Sequence, residues 1–138
     1  MTKDYTCNPL PNHIQKYAFD FRWDNEKIWA LNIPTEKMSI DELVWHFDVA
    51  WLHTPGERFN LTPAKIMQNP DIYPEQYRRT LESDLSYPID VMFHKDRWLI
   101  LDGLHRLMKS VSQGRTQVRV HKIPHSMIPM ISEVSQAP

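Results

Sequence analysis

The residues with the clearest chemical potential are Asp102-Gly103-Leu104-His105-Arg106. They follow the continuously apolar run Trp98-Leu99-Ile100-Leu101, the pattern of a buried strand. Leu104, Leu107, Met108 and Val111 then recur at i, i+3, i+4 and i+7, so a helix is expected to begin at once. An abrupt helix start leaves its first backbone N–H groups without helical partners, and those donors, with the helix dipole, favour an anion. Gly103 has no Cβ, so a ligand could come close to the backbone. Arg106 is expected nearly opposite the apolar stripe, with His105, Lys109 and Ser112 to its side. The guanidinium fork binds two oxygens at once and suits phosphate. Asp102 lies at the carboxyl end of the strand, where ligand sites gather in α/β folds, and could hold Mg²⁺, orient His105 or act as a base. The structural alternative is that Asp102 only caps the helix, Gly103 only permits the turn, and His105 and Arg106 are solvated.

The elements that position this segment can be read outward from it. Ile89, Val91 and Phe93 alternate with Asp90, Met92 and His94, and His94-Lys95-Asp96-Arg97 is a polar turn, which predicts a hairpin ending at Asp102. Gly114 ends the helix, and Val118-Arg119-Val120-His121-Lys122-Ile123 is a strand stopped by Pro124. Upstream, Ile28–Ile33 reads as a strand ended by Pro34. Ser39 and Glu42 have capping-box spacing, Met38 with Leu43 could form a hydrophobic staple, and Ile40, Leu43, Val44, Phe47 and Trp51 predict a helix over 39–52, with a stop near Pro55-Gly56. Thr62-Pro63 opens a short helix closed by Asn69-Pro70, and Pro74–Leu81 predicts another with Tyr77 and Leu81 on one side. Residues 1–26 read as an irregular arm, packing Tyr17, Phe19, Phe21 and Trp23 onto the body or alternating as a strand. Residues 27–131 form one domain, Ile128, Met130 and Ile131 add a last short element, and 132–138 form a frayed tail.

Composition narrows the class. A chain of 138 residues with 41% hydrophobic and 24% charged residues suits one globular domain. Sixteen basic residues face seventeen acidic ones, so no global excess of charge drives binding to DNA, although a local basic patch is compatible. No apolar run approaches a membrane span, and the N-terminus has no signal-peptide core. Cys7 is the only cysteine, so no intrachain disulfide is expected and a cytoplasmic setting is.

Other candidates carry weaker signals. His121-x-x-x-His125 straddles a strand end and a proline, a poor frame for a metal. His46 and His53 are expected on the surface or as helix-dipole partners, Trp45 and Trp51 in the core or an interface, and Arg78-Arg79 on a solvated helix face.

Tyr87-Pro88-Ile89-Asp90-Val91, then Trp98 to Arg106, then Gly114 and Val118-Arg119-Val120 resemble the ParB/sulfiredoxin-like superfamily over residues 87–124. The resemblance implies an α+β fold with a small mixed sheet and packed helices, and a nucleotide (ATP, ADP or CTP, with Mg²⁺) whose phosphates rest on Gly103, Leu104, His105 and Arg106. Asp102 matches the acidic residue of the free-serine kinase and ParB-like nuclease versions. Asp84, in the loop Ser83–Pro88, would lie near the nucleotide and join Asp102 and His105 as a catalytic candidate. Glu57 is a lesser candidate for a kinase base. Leu104 stands where sulfiredoxin has its reactive cysteine, so sulfiredoxin chemistry is not expected. The fourteen residues after Pro124 leave no room for the DNA-binding and dimerisation regions of partition proteins, and the double-arginine ParB motif is absent. The expectation is a nucleotide-binding phosphotransferase or nucleotide/phosphodiester hydrolase, with a small-molecule acceptor in the first case. The alternatives are a non-catalytic DNA-binding or regulatory module of ParB type and a partner-binding protein that has kept only the fold.

Overall fold

The computed structural model describes residues 10–18 and 22–133. Cys7, Phe19, Phe21 and the tail beyond residue 133 lie outside the described residues. The chain is a mixed α+β protein with a four-stranded open sheet. Strands β1 (Thr35–Ser39), β2 (Ile89–His94), β3 (Arg97–Asp102) and β4 (Gln117–Lys122) lie in the order β1-β4-β2-β3. β2 and β3 form the expected hairpin, and Lys95 and Asp96 both take positive φ at its tip, as a two-residue turn requires. β4 pairs with β1 antiparallel and with β2 parallel. The α-helices are α1 (Asn12–Gln15), α2 (Asn25–Trp29), α3 (Pro63–Gln68), α4 (Pro74–Glu82), α5 (Leu104–Ser112) and α6 (Ile128–Ile131).

Both faces of the sheet are covered. Ile89, Val91, Ile100, Val118 and Val120 pack with Leu107 of α5 on one side. Met92, Leu99, Leu101 and Ile123 pack with Ile28 of α2 and Ile131 of α6 on the other. This corrects the reading of β2 as a one-sided alternation: Asp90 and Met92 are buried, and Phe93 is exposed. A strand buried on both faces loses the period-two contrast between in and out.

Two upstream elements also differ from expectation. Ile28 belongs to α2, not to a strand over 28–33, because the Asp24 carboxylate accepts the Glu26 N–H and starts a helix instead. The edge strand β1 begins just after Pro34, so that proline precedes a strand rather than ending one. The helix expected over 39–52 is two short 3-10 turns, Ile40–Glu42 and Val44–Asp48. Ser39 does cap the first, accepting from Asp41 N, and Met38 and Leu43 meet in the core. The second departs from α geometry where His46 turns inward: its backbone N–H and its Nδ1–H both donate to the Leu43 carbonyl.

The other helices match expectation. Thr62 caps α3 through Lys65 N, α4 begins at Pro74, and α5 is followed by Gly114 at φ +75°. Tyr77 and Leu81 lie on one side of α4, as expected, and line one surface groove; Tyr77 also packs against the core, while Leu81 is exposed. The arm is anchored by Ile14, by Tyr17 against Trp45 and Trp51, and by Lys95 Nζ donating to the Gln15 and Ala18 carbonyls. Trp23 bridges to Ser132 without forming a strand.

His46 is buried, which corrects its expected surface role. Its Nδ1–H donates to Leu43 O at 2.7 Å, and its Nε2 accepts the Ile100 N–H at 3.0 Å. The ring must be neutral to accept that bond, and burial pushes its pKa down to about 4, with Arg97 adding to the effect. Below the ordinary value of 6.5 the unfolded chain takes a proton that the native core refuses. Stability should be fully present above pH 6.5 and fall by about 1.4 kcal/mol per pH unit for this residue as pH drops toward 4. Replacing His46 by Ala should cost about 2–4 kcal/mol by leaving the Ile100 N–H unpaired beside a cavity, and should flatten that acid slope in urea titrations.

Candidate functional site

The site is built where β3 hands over to α5. Gly103 has φ +115°, a conformation reserved for glycine, and its carbonyl accepts the first α-helical bond from Leu107. No side chain caps α5, so Asp102 is not its N-cap and the first turn of amides is left to other acceptors. Asp102 accepts instead from Arg106 Nη2 at 3.0 Å and from Trp29 Nε1 at 2.8 Å, both at Oδ2. Arg106 also donates through Nη1 to the Pro88 carbonyl. The guanidinium is therefore folded back over Gly103 rather than turned to solvent. A Cβ added at Gly103 would stand 3.2 Å from Arg106 Nη1 and from the Ile89 side chain. The space above Gly103 is thus filled by the protein, and the lost Cβ makes room for Arg106 before it makes room for any ligand.

His105 is oriented by Gln76, to whose Oε1 its Nε2 donates at 2.9 Å, and not by Asp102. Burial, then the nearby Arg79 charge, pushes its pKa down to about 4. At neutral pH it is an uncharged imidazole whose Nε2–H is engaged, so it has no acidic proton to supply, and its surroundings disfavour the protonated ring. Leu104 packs between two core clusters and contributes only its backbone to the surface chemistry.

Asp84 lies at the start of the loop that enters β2. Its Oδ1 accepts the Ser86 N–H at 2.9 Å, and hydrogen bonds from Ser86 hold its carboxyl below the ordinary value, with the Lys109 and Arg106 charges adding to them. Three cations support this loop through its carbonyls: Lys109 donates to Ser83, Arg119 to Leu85 and Ser86, and Arg106 to Pro88. Carbonyl oxygens satisfy N–H donors without cancelling their charge, so Lys109 and Arg119 keep theirs in these bonds, whereas Arg106 is also paired with the Asp102 carboxylate.

Sequence reading missed the cleft that results. Parallel pairing of β2 with β4 starts only at Ile89–Val120, so Gln117–Arg119 run on beside the 83–88 loop instead of a strand. The gap is a cleft of about 260 Å³ lined by Lys37, Arg106, Arg115 and Arg119, with Ser110, Tyr87 and the apolar floor of Ile89 and Val118. No carboxylate lines it. Lys37 and Arg119 are direct cross-strand partners, a like-charge pairing that costs stability unless an anion offsets it. These four cations lie between residues 37 and 119, so no local motif could have revealed them.

The other candidates are accounted for structurally. Glu57 accepts from Asn60, and His53 Nδ1 accepts the Phe59 N–H, while the His53 carbonyl accepts from Gln76, the side chain that also holds His105. Arg78 pairs with Glu75 and Glu82 on an exposed helix face. No group of three or more His, Cys, Asp or Glu among the described residues is arranged to hold a metal ion. No helix among the described residues is long and apolar enough to cross a membrane. No family model, no functionally characterised protein and no solved structure matches the chain.

Gly103→Ala should destabilise the protein by about 1–3 kcal/mol, because it forces a Cβ into a left-handed conformation already crowded by Arg106 and Ile89. Chemical denaturation measures this, and the Gly114→Ala variant, whose added Cβ would meet open space, provides a control for the φ effect alone.

Proposed function

We propose that the chain binds a nucleotide or a closely related polyphosphate at the α5 corner, as its resemblance to ParB/sulfiredoxin-like proteins implies, and acts on a phosphate bond. The observation that carries this reading is the cation-lined cleft, which shares Arg106 with the uncapped start of α5 and has no carboxylate in its walls. Its volume suits phosphate groups and not a nucleic-acid duplex. Lys37 and Arg115 would supply charge, the amides of Leu104 to Arg106 would supply directed donors, and Ser110 would offer a hydroxyl. Arg106 would exchange part of its bonding to Pro88 and Asp102 for phosphate oxygens, staying paired throughout. Tyr87, exposed at the rim, offers a ring face to a base.

Asp102 would take part in phosphate chemistry through Oδ1, since both of its bonds fall on Oδ2. A Mg²⁺ ion would need most of its ligands from the phosphates and water, as is usual for that ion. Neutral His105 would offer its free ring nitrogen as a hydrogen-bond acceptor.

Titration calorimetry with ATP, ADP, CTP and tripolyphosphate, each with Mg²⁺, tests the reading. Binding is expected for at least one nucleotide, weakened at least about tenfold (~1.4 kcal/mol) by Lys37→Glu with Arg115→Glu, at a melting temperature that is not lowered, since Lys37→Glu replaces a like-charge pair with Arg119 by an opposite-charge one. Failure of every nucleotide and of tripolyphosphate to bind at millimolar concentration would contradict it.

A further inference from the structure

One level of the sheet carries a second arrangement that the phosphate reading does not use. Thr35 of β1 is the register partner of His121 of β4, His121 is the partner of Asp90 of β2, and Asp90 is the partner of Asp102 of β3. A polar residue from each strand therefore stands in one row across the sheet. Within it, His121 Nδ1–H donates to Asp90 Oδ1 at 2.9 Å, and His121 Nε2 lies 3.3 Å from Thr35 Oγ1. The Asp90 carboxyl is almost fully buried, the His121 ring is about a quarter exposed, and Thr35 is exposed. With Nδ1 committed to the carboxylate, the Nε2 lone pair faces the threonine hydroxyl.

Burying a carboxylate between strands is costly, and a single imidazole is its direct partner here. A turn or cap would not need such a residue in the middle of a ladder. What the placement does achieve is to fix the imidazole's tautomer and plane, with its basic nitrogen aimed at a solvent-facing hydroxyl. That is the relation of orienter, base and nucleophile by which unrelated folds activate a hydroxyl group. Burial pushes the Asp90 carboxyl above its ordinary value, while the hydrogen bond and charge of His121 draw it back toward the ionised form; Asp102 adds to the rise and Arg106 opposes it. β1 is an edge strand, so alternate main-chain N–H groups on its outer side have no ladder partner.

We propose that Thr35, His121 and Asp90 form a nucleophilic centre for acyl transfer from small carboxylic esters. Thr35 Oγ1 forms a bond to the ester carbonyl carbon as its proton passes to His121 Nε2. The bond to the alcohol oxygen breaks, and that oxygen takes the proton from His121. Water then attacks the acyl-threonine, giving one proton to His121, and the carboxylic acid leaves as Thr35 Oγ1 recovers that proton. Asp90 stays ionised throughout, holding the imidazole in place and stabilising its transient charge.

A fluorophosphonate probe tests the centre without an identified ester. It reacts far faster with an activated hydroxyl than with an ordinary one, the oxygen displacing fluoride at phosphorus and giving up its proton. Peptide mass spectrometry should find the intact protein labelled at Thr35. Labelling should persist in Thr35→Ser, vanish in Thr35→Ala, and slow about a hundredfold in His121→Ala. Thr35 is exposed, so its variants should melt with the wild type, and the wild-type result requires no variant to fold. Absence of a label at Thr35 in the wild type, or labelling of folded His121→Ala at the wild-type rate, would overturn the proposal. Neither result bears on nucleotide binding.

Discussion

The architecture of the corner depends on one folded-back side chain. Arg106 reaches over Gly103 to Asp102 at the end of β3 and to the Pro88 carbonyl just before β2. Three segments are thereby tied at one point: the end of the hairpin, the first turn of α5 that follows it, and the hairpin's entry loop. The pair is largely buried, with side-chain exposures of 16% and 19%. Its value lies less in net stability than in geometry, because a buried pair mainly penalises arrangements that would break it. Gly103 is part of the same device, since the arginine occupies the volume where any other residue would carry its Cβ.

From that tie follows the charge distribution of the surface. The chain as a whole is near neutral, at −1. Even so, Lys37, Arg106, Arg115 and Arg119 line one cleft, and Lys109 supports the adjoining loop. Clustering of this kind has a folding cost that an incoming anion would relieve. The sheet contributes by leaving the first half of β4 without a strand neighbour on the β2 side, which opens the gap. Polar residues thus gather at the two ends of β2, while its centre remains apolar on both faces.

Much of this corner was legible in the sequence because its signals are local. The apolar strand, the Asp-Gly break, the i, i+3, i+4, i+7 stripe and Gly114 all lie within seventeen residues and agree with one another. The hairpin turn and the caps at Thr62 and Ser39 were readable for the same reason. What failed were signals settled by tertiary contacts. Ile28–Ile33 has strand-like composition, but Asp24 captures an amide and draws Ile28 and Trp29 into a helix. The stripe over 39–52 has helical spacing, but His46 turns inward to receive the Ile100 amide and the helix breaks into 3-10 turns. His46 itself was misjudged because a buried neutral imidazole has no local signature. The cleft and the Thr35–His121–Asp90 row could not be read, since register across four strands brings their members together.

The most direct test of the central claim is amide-resolved NMR of the protein with added Mg²⁺-nucleotide. The account predicts that the backbone signals of Gly103 to Arg106 shift together with those of Lys37, Arg115 and Arg119, on a single saturating curve. Shifts confined to other parts of the sheet, or none at all, would contradict it.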